Sequence, residues 1–124
     1  MKADKRSLAL LLALVLICTV LPVPAAQAAD VQPVLSAALA RQACAVPSPG
    51  YGDEWTVLGL ARGGYYTADS DYFARYYADL AAKAPELTAA SGREGALNAY
   101  KSTDNSRVIL ALSAIGRDAA QVGG

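Results

Sequence analysis

The chain predicts an all-α fold of helical hairpins, an incomplete part of an α/α toroid, and three observations carry that expectation. After residue 28, apolar side chains recur at helical spacing in four segments. Each segment is bracketed by residue types that start or stop helices. Two of the segments, 52 residues apart, share their apolar spacing and their glycine stop.

In chain order, the first element is a secretory signal over residues 1–28. Lys2, Lys5 and Arg6 open it against one acid, Asp4, and an apolar run follows over residues 8–21. Pro22 and Pro24 then lead to Ala26-Gln27-Ala28. A basic start, a short apolar stretch and an A-x-A ending make an export signal cut after Ala28. The apolar run is 14 residues long, and a spanning helix needs roughly 20. Ile17 and Leu16 stand before Cys18 where lipidation wants a small residue, so a lipid anchor is not expected. The working chain is then residues 29–124, with no membrane span after cleavage.

The first helix is expected over residues 31–45, with Asp30 as its cap and Pro33 in its first turn, where a missing N–H costs little. Val34, Leu35, Ala38, Leu39 and Val46 line one side, and the run from Pro47 to Gly50 ends it. The second covers residues 54–62, between an Asp53 cap and a Gly63-Gly64 stop. Trp55, Val57, Leu58 and Leu60 make it apolar nearly all round, the pattern of an enclosed helix. The third covers residues 71–84, capped by Asp69 or Ser70. One of its faces carries Tyr72, Phe73, Tyr76, Tyr77 and Leu80, the other Asp71, Arg75, Asp79 and Lys83 at i, i+4 spacing. Residues 85–103 read as irregular, with Ser91, Gly92, Gly95 and Asn98 scattered through them. The fourth helix is expected over residues 106–115, capped by Asp104 or Asn105, with Val108, Ile109, Leu112 and Ile115 as its stripe. Gly116 supplies a left-handed stop, and Arg117 suits the negative helix end.

Charge and composition exclude several functions. Three of the eleven cations and one of the eleven acids lie in the first six residues, leaving eight against ten and a net charge of −2. With no basic surplus or basic run, nucleic acid is not an expected partner. Histidine is absent, which removes the commonest metal ligand and the commonest base near neutral pH. No cofactor or metal is expected. Cys44 is the one cysteine after the signal. It could pair between chains or act as a reactive thiol; a small buried apolar side chain is the reading preferred.

Aligning residues 54–64 with 106–116 sets Leu58 on Leu110, Leu60 on Leu112 and Gly64 on Gly116. Each unit is then a helix, a glycine turn and a more amphipathic helix, a period that fits stacked helical hairpins. The stretch from Tyr51 to Tyr65 resembles the opening helix of a family of bacterial cell-surface proteins. Their domain is an α/α barrel of the prenyltransferase and squalene-cyclase type. The stretch from Asn105 to Asp118 is similar to that domain's next repeat, and the aromatic helix between them fits. The resemblance covers the chain from about Val31 to Gly124 and implies the N-terminal part of such a barrel, about two repeats of a larger protein.

Catalytic motifs of that superfamily are not visible here. Asp69-Ser70-Asp71 is the nearest approach to the cyclases' aspartate-rich acid, and it sits where a helix cap belongs. Trp55 lacks the glutamine of the cyclase repeat motif, and the thioester run Cys-Gly-Glu-Gln is absent. Glu54 is read as an acid favoured by the helix dipole rather than as a proton donor. No catalytic residue is assigned. The ligand-binding candidates are the aromatics Trp55, Tyr65, Tyr66, Tyr72 and Tyr76, whose rings could stack on a flat ligand, together with Arg107 as an anion contact. Spacing alone assigns the aromatics to the core and leaves Arg107 solvated.

The expectation is a secreted or surface-displayed helical-repeat binding module, non-catalytic on its own, with carbohydrate or other cell-surface material as its ligand. The alternative is the N-terminal piece of a terpene-cyclase-like or lyase-like barrel enzyme. The fourth helix has no following helix to cover its stripe, so the module is expected to need further repeats or to self-associate.

Overall fold

The computed structural model describes residues 30–122; the export signal expected over residues 1–28 lies outside them. These residues form four α-helices and no strand. They are α1 (Gln32–Ala45), α2 (Glu54–Arg62), α3 (Asp71–Ser91) and α4 (Ser102–Ala114), followed by a 3-10 turn at Ala119–Gln121. The all-α expectation holds. The second helix has the bounds expected of it and the first differs by one residue, whereas the third and fourth depart from theirs in informative ways.

Helix α1 reaches its neighbour through its C-terminal half. Leu39 and Ala43 are buried, whereas Val34 and Leu35 of the expected stripe are exposed. The close approach is to two glycines of α2 and its cap. A Cβ on Gly63 would stand 2.5 Å from Leu39 Cδ1, and one on Gly59 would stand 3.2 Å from Gln42 Oε1. Cys44, expected inside, is exposed, because it falls on the turn of α1 pointing away from that contact.

Helix α3 does not stop at Ala84. It runs through Pro85 to Ser91, and Gly92 ends it in the left-handed region at φ 64°. A proline inside a helix removes one backbone hydrogen bond and crowds the preceding turn. Pro85 is exposed, so the helix tolerates it on a side where a carbonyl left without a donor is open to solvent. Ser70 is the N-cap, accepting from the Phe73 N–H at 3.5 Å.

Helix α4 starts one turn before the expected place, at Ser102 with Lys101 as its N-cap residue. Asp104 and Asn105 are inside the first turn and serve the preceding loop instead. Asn105 Oδ1 accepts from the N–H groups of Leu97 and Asn98, at 2.8 and 3.1 Å. Asn98 Oδ1 in turn accepts from Tyr100 and Lys101, both at 2.9 Å. Ser91 Oγ donates within reach of the Ala96 carbonyl at 2.7 Å and accepts from the Arg93 N–H. The stretch that reads as irregular is a tightly hydrogen-bonded connection.

Helices α2 and α4 pack on each other and end alike. After α2 the Gly64 N–H reaches the Ala61 carbonyl and the Tyr65 N–H reaches Leu60, at 3.1 and 3.0 Å. After α4 the Gly116 N–H reaches Ser113 and the Arg117 N–H reaches Leu112, at 3.3 and 2.9 Å. Both are Schellman turns, and both glycines hold positive φ, 66° and 73°. The core joins Val57 and Leu60 of α2, Tyr72, Phe73, Tyr76 and Leu80 of α3, and Val108, Ala111, Leu112 and Ile115 in and after α4. The α4 stripe expected to stand bare is thus covered within the chain, except for Ile109, which is exposed.

Replacing Pro85 by Ala should stabilise the chain, by an amount bounded by the ~3 kcal/mol that separates Pro from Ala in a helix interior. A higher urea midpoint with unchanged slope checks it; an unchanged or lower midpoint would show that α3 does not rely on continuity at that turn.

Candidate functional site

The most unusual group in the structure is Glu54, a carboxylate with no exposed surface. It opens α2 directly after Asp53, and two neighbours account for its two oxygens. Oε1 accepts from the Gly52 N–H at 2.8 Å. Oε2 lies 2.9 Å from Arg107 Nε across the α2–α4 contact. That second contact is an ion pair without an aligned hydrogen bond, since neither Oε2 nor Nε has a hydrogen-bond partner by direction. At 2.9 Å in a water-poor setting the charge–charge attraction dominates over the missing alignment. Arg107 is also held by Asp104 Oδ1 at 3.4 Å, and its guanidinium carbon stands 5.8 Å from the centre of the Tyr51 ring. Arg107 is therefore paired inside the fold with Glu54 and Asp104 rather than solvated at a helix end.

Tyr76 of α3 shares this region. Its hydroxyl is buried with no hydrogen-bond partner among the described residues. Burial first, and the Glu54 carboxylate second, push its ionisation well above the ordinary phenol range, with Arg107 working the other way. Deprotonation there would place a second negative charge beside Glu54 in a poor solvent.

The residues before α2 are laced to this cluster. Asp53 accepts from the Gly50 N–H at 2.9 Å rather than capping α2 with its side chain. Asp79 of α3 accepts from the Tyr51 N–H and from Lys83 Nζ, both at 2.8 Å. Lys83 first, and the Tyr51 N–H second, hold the Asp79 carboxyl below its ordinary range. Gly50 leaves room for Asp79 here: a Cβ would stand 2.6 Å from Asp79 Oδ2, so the carboxylate would have to shift.

The other aromatic candidates form a second cluster. Tyr66 stacks on Tyr72 at 4.7 Å between ring centres, and meets Tyr65 edge-on at 4.9 Å and Phe73 at 6.0 Å. Tyr72 is buried, and its hydroxyl donates to the Val46 carbonyl at 2.8 Å. Burial first, then the neighbouring Tyr66 and Asp53, raise its pKa to about 12. Tyr72 and Tyr76 are thus core, Tyr66 is half-buried and Tyr65 is exposed at the cluster's edge. Trp55 belongs to neither group: 61% of its surface is open to solvent. The expectation that the whole second helix is enclosed fails at this residue, since α2 buries Val57 and Leu60 on one side only.

Two features escape a reading of spacing. Tyr100 is 97% exposed on the loop held by Asn98 and Asn105. An open groove of about 430 Å³ lies between that loop, α4 and the 3-10 turn, lined by Thr88, Leu97, Val108, Ile109, Ala119 and Val122. Among the described residues no group of His, Cys, Asp and Glu could hold a metal ion, and no helix is long and apolar enough to cross a membrane.

No family model, no curated protein and no solved structure matches the chain.

Removing one member of the Glu54–Arg107 pair should cost toward the lower end of ~3–5 kcal/mol, since Arg107 is partly exposed. The double substitution Glu54→Leu with Arg107→Met should recover most of that loss; additive losses in urea unfolding would show the pair to be uncoupled. Alkali gives a second expectation. Tyr72 and Tyr76 keep their protons when folded at pH values where the unfolded chain gives them up. Their contribution is therefore complete below the ordinary phenol pKa of 10 and falls as pH rises, for Tyr72 until about 12 and for Tyr76, which is raised further, beyond that. A melting temperature that is flat from pH 10 to 12 would contradict the burial of both hydroxyls.

Proposed function

We propose that the chain is an exported, non-catalytic helical binding module that meets its ligand through exposed aromatic side chains, Trp55 first and Tyr65 beside it in rank. The observation that carries this reading is the 61% exposure of Trp55 on a helix whose opposite side is core. A large rigid ring held on a fixed helix loses little conformational freedom when it binds, which is why Trp and Tyr anchor so many interfaces. Tyr65 is supported from behind by Tyr66, which itself stacks on Tyr72. Flat apolar faces of this kind suit the faces of sugar rings, and carbohydrate of the cell surface is the ligand class put forward. The basic, apolar and A-x-A segments of residues 1–28 support export.

We also read α2 and α4 as the opening helices of two repeated units of a helical-hairpin array. Their matching Schellman turns, 52 residues apart, support that reading. In such an array the exposed side chains of successive units would line one extended surface.

Trp55 is the chain's single tryptophan, so its emission reports on the proposed contact alone. Titration with soluble bacterial cell-wall polysaccharides should blue-shift and quench that emission. Trp55→Ala, with helical circular dichroism retained, should weaken binding measured by calorimetry about tenfold or more. An emission spectrum unmoved by every polysaccharide, or binding indifferent to Trp55→Ala, sinks the reading.

A further inference from the structure

We propose that the ligand of the Trp55 face is an anionic saccharide chain, and that Arg62 receives its negative group two turns along α2 from the indole. The inference rests on the aromatic reading of Trp55 given above and adds the charge of what is bound. Helix geometry supplies the first observation. At 100° per residue, Arg62 lies about 20° around α2 from Trp55 and about 10 Å further along its axis. Val57 and Leu60, both buried, lie about 160° and 140° around from Trp55. Trp55 and Arg62 therefore share the side opposite the core, and both are exposed.

Charge is the second observation. Glu54 and Arg62 are the charged residues of α2, and Glu54 is buried against Arg107. Arg62 is thus the only charge this helix shows to solvent. The ion pairs of the described residues engage Lys83 and Arg107, and among those residues no hydrogen bond or ion pair occupies the Arg62 side chain. The negative end of α2 favours a cation in its last turn. That accounts for the residue type and leaves the guanidinium fork open to a carboxylate or a phosphate.

Between the two lies a shallow notch. Gly59 stands between Trp55 and Arg62 along the axis, about 40° around from Trp55, and has no side chain to fill the space. A Cβ there would stand 3.2 Å from Gln42 Oε1 of α1. The half-buried Gln42 therefore borders the notch, and an amide offers both donor and acceptor to sugar hydroxyls. An aromatic ring, an amide and a cation spread over about 10 Å of helix suit a ligand longer than one sugar ring. Its negative group then lies beyond the ring stacked on Trp55.

Calorimetry on the chain recovered from an exporting host tests this with two matched pairs of probes. One pair is a uronate-bearing cell-wall polysaccharide and the same polymer with its carboxylates reduced to alcohols. The other is a phosphate-bearing cell-wall polysaccharide before and after removal of its phosphates. In at least one pair the anionic member should bind about tenfold tighter at low salt, an advantage that shrinks as salt rises. R62Q should erase that advantage and leave the affinity for the neutral member unchanged, whereas R62K should keep part of it. The pair that responds identifies the anion. Equal affinities within both pairs overturn the proposal, and so does an anionic advantage that survives R62Q. W55A separates that failure from failure of the aromatic reading. Binding that W55A weakens, without an anionic preference, keeps Trp55 and discards Arg62; no binding of any polymer discards both.

Discussion

The pairing of Glu54 with Arg107 is the constraint around which the helices are arranged. Apolar contacts hold α2, α3 and α4 together, but such contacts are non-directional and several registers would bury similar area. A carboxylate with no access to water allows far fewer. It must meet a cation at a fixed place, and Arg107 is the α4 side chain that meets it. The other oxygen takes the Gly52 N–H, so one side chain ties α2, α4 and the preceding loop. Tyr76 closes the same region from α3. Burying a charged pair brings little net stability over an apolar equivalent, yet a half-broken pair is costly. The pair's effect is therefore to penalise wrong arrangements rather than to strengthen the right one.

The surface divides along the same helices. On α3 the solvated side is charged, and Asp79 works twice, pairing with Lys83 and fixing Tyr51. On α4 the charges are drawn inward to Glu54 and Asn98, which leaves the outer side neutral. The two outer faces differ because the charges of α4 are consumed by internal contacts. What remains outside is an indole on α2, a tyrosine at the edge of an aromatic stack, and an uncharged strip on α4.

Much of the helical architecture is legible in the residues themselves. The end of α2 follows from Gly63-Gly64, because a left-handed stop is a local requirement, whereas its start falls after Asp53 without the side-chain cap that Asp53 suggests. Gly116 marks the end of α4 in the same way. The extension of α3 past Pro85 is not legible, since proline ordinarily ends a helix and only its exposure makes it tolerable here. Nor is the start of α4: Asp104 and Asn105 look like caps, but their side chains bind the loop before them. The candidate site is harder still. Trp55 lies on a helix apolar nearly all round, where periodicity does not distinguish the outward face. Glu54 and Arg107 are 53 positions apart, and nothing in the spacing of either announces the other. Two consecutive acids, Asp53 and Glu54, fronting an uncharged run, and a lone cation within α4, are the only traces they leave.

The connection between α3 and α4 has a consequence for how the chain assembles. Its hydrogen bonds from Ser91, Asn98 and Asn105 all join residues within eight positions of one another. Closing such short loops costs little chain entropy, and loops of this size close in tens of nanoseconds. The turn between the last two helices can therefore be in place before those helices find their partners, so that α4 arrives at α2 already aimed.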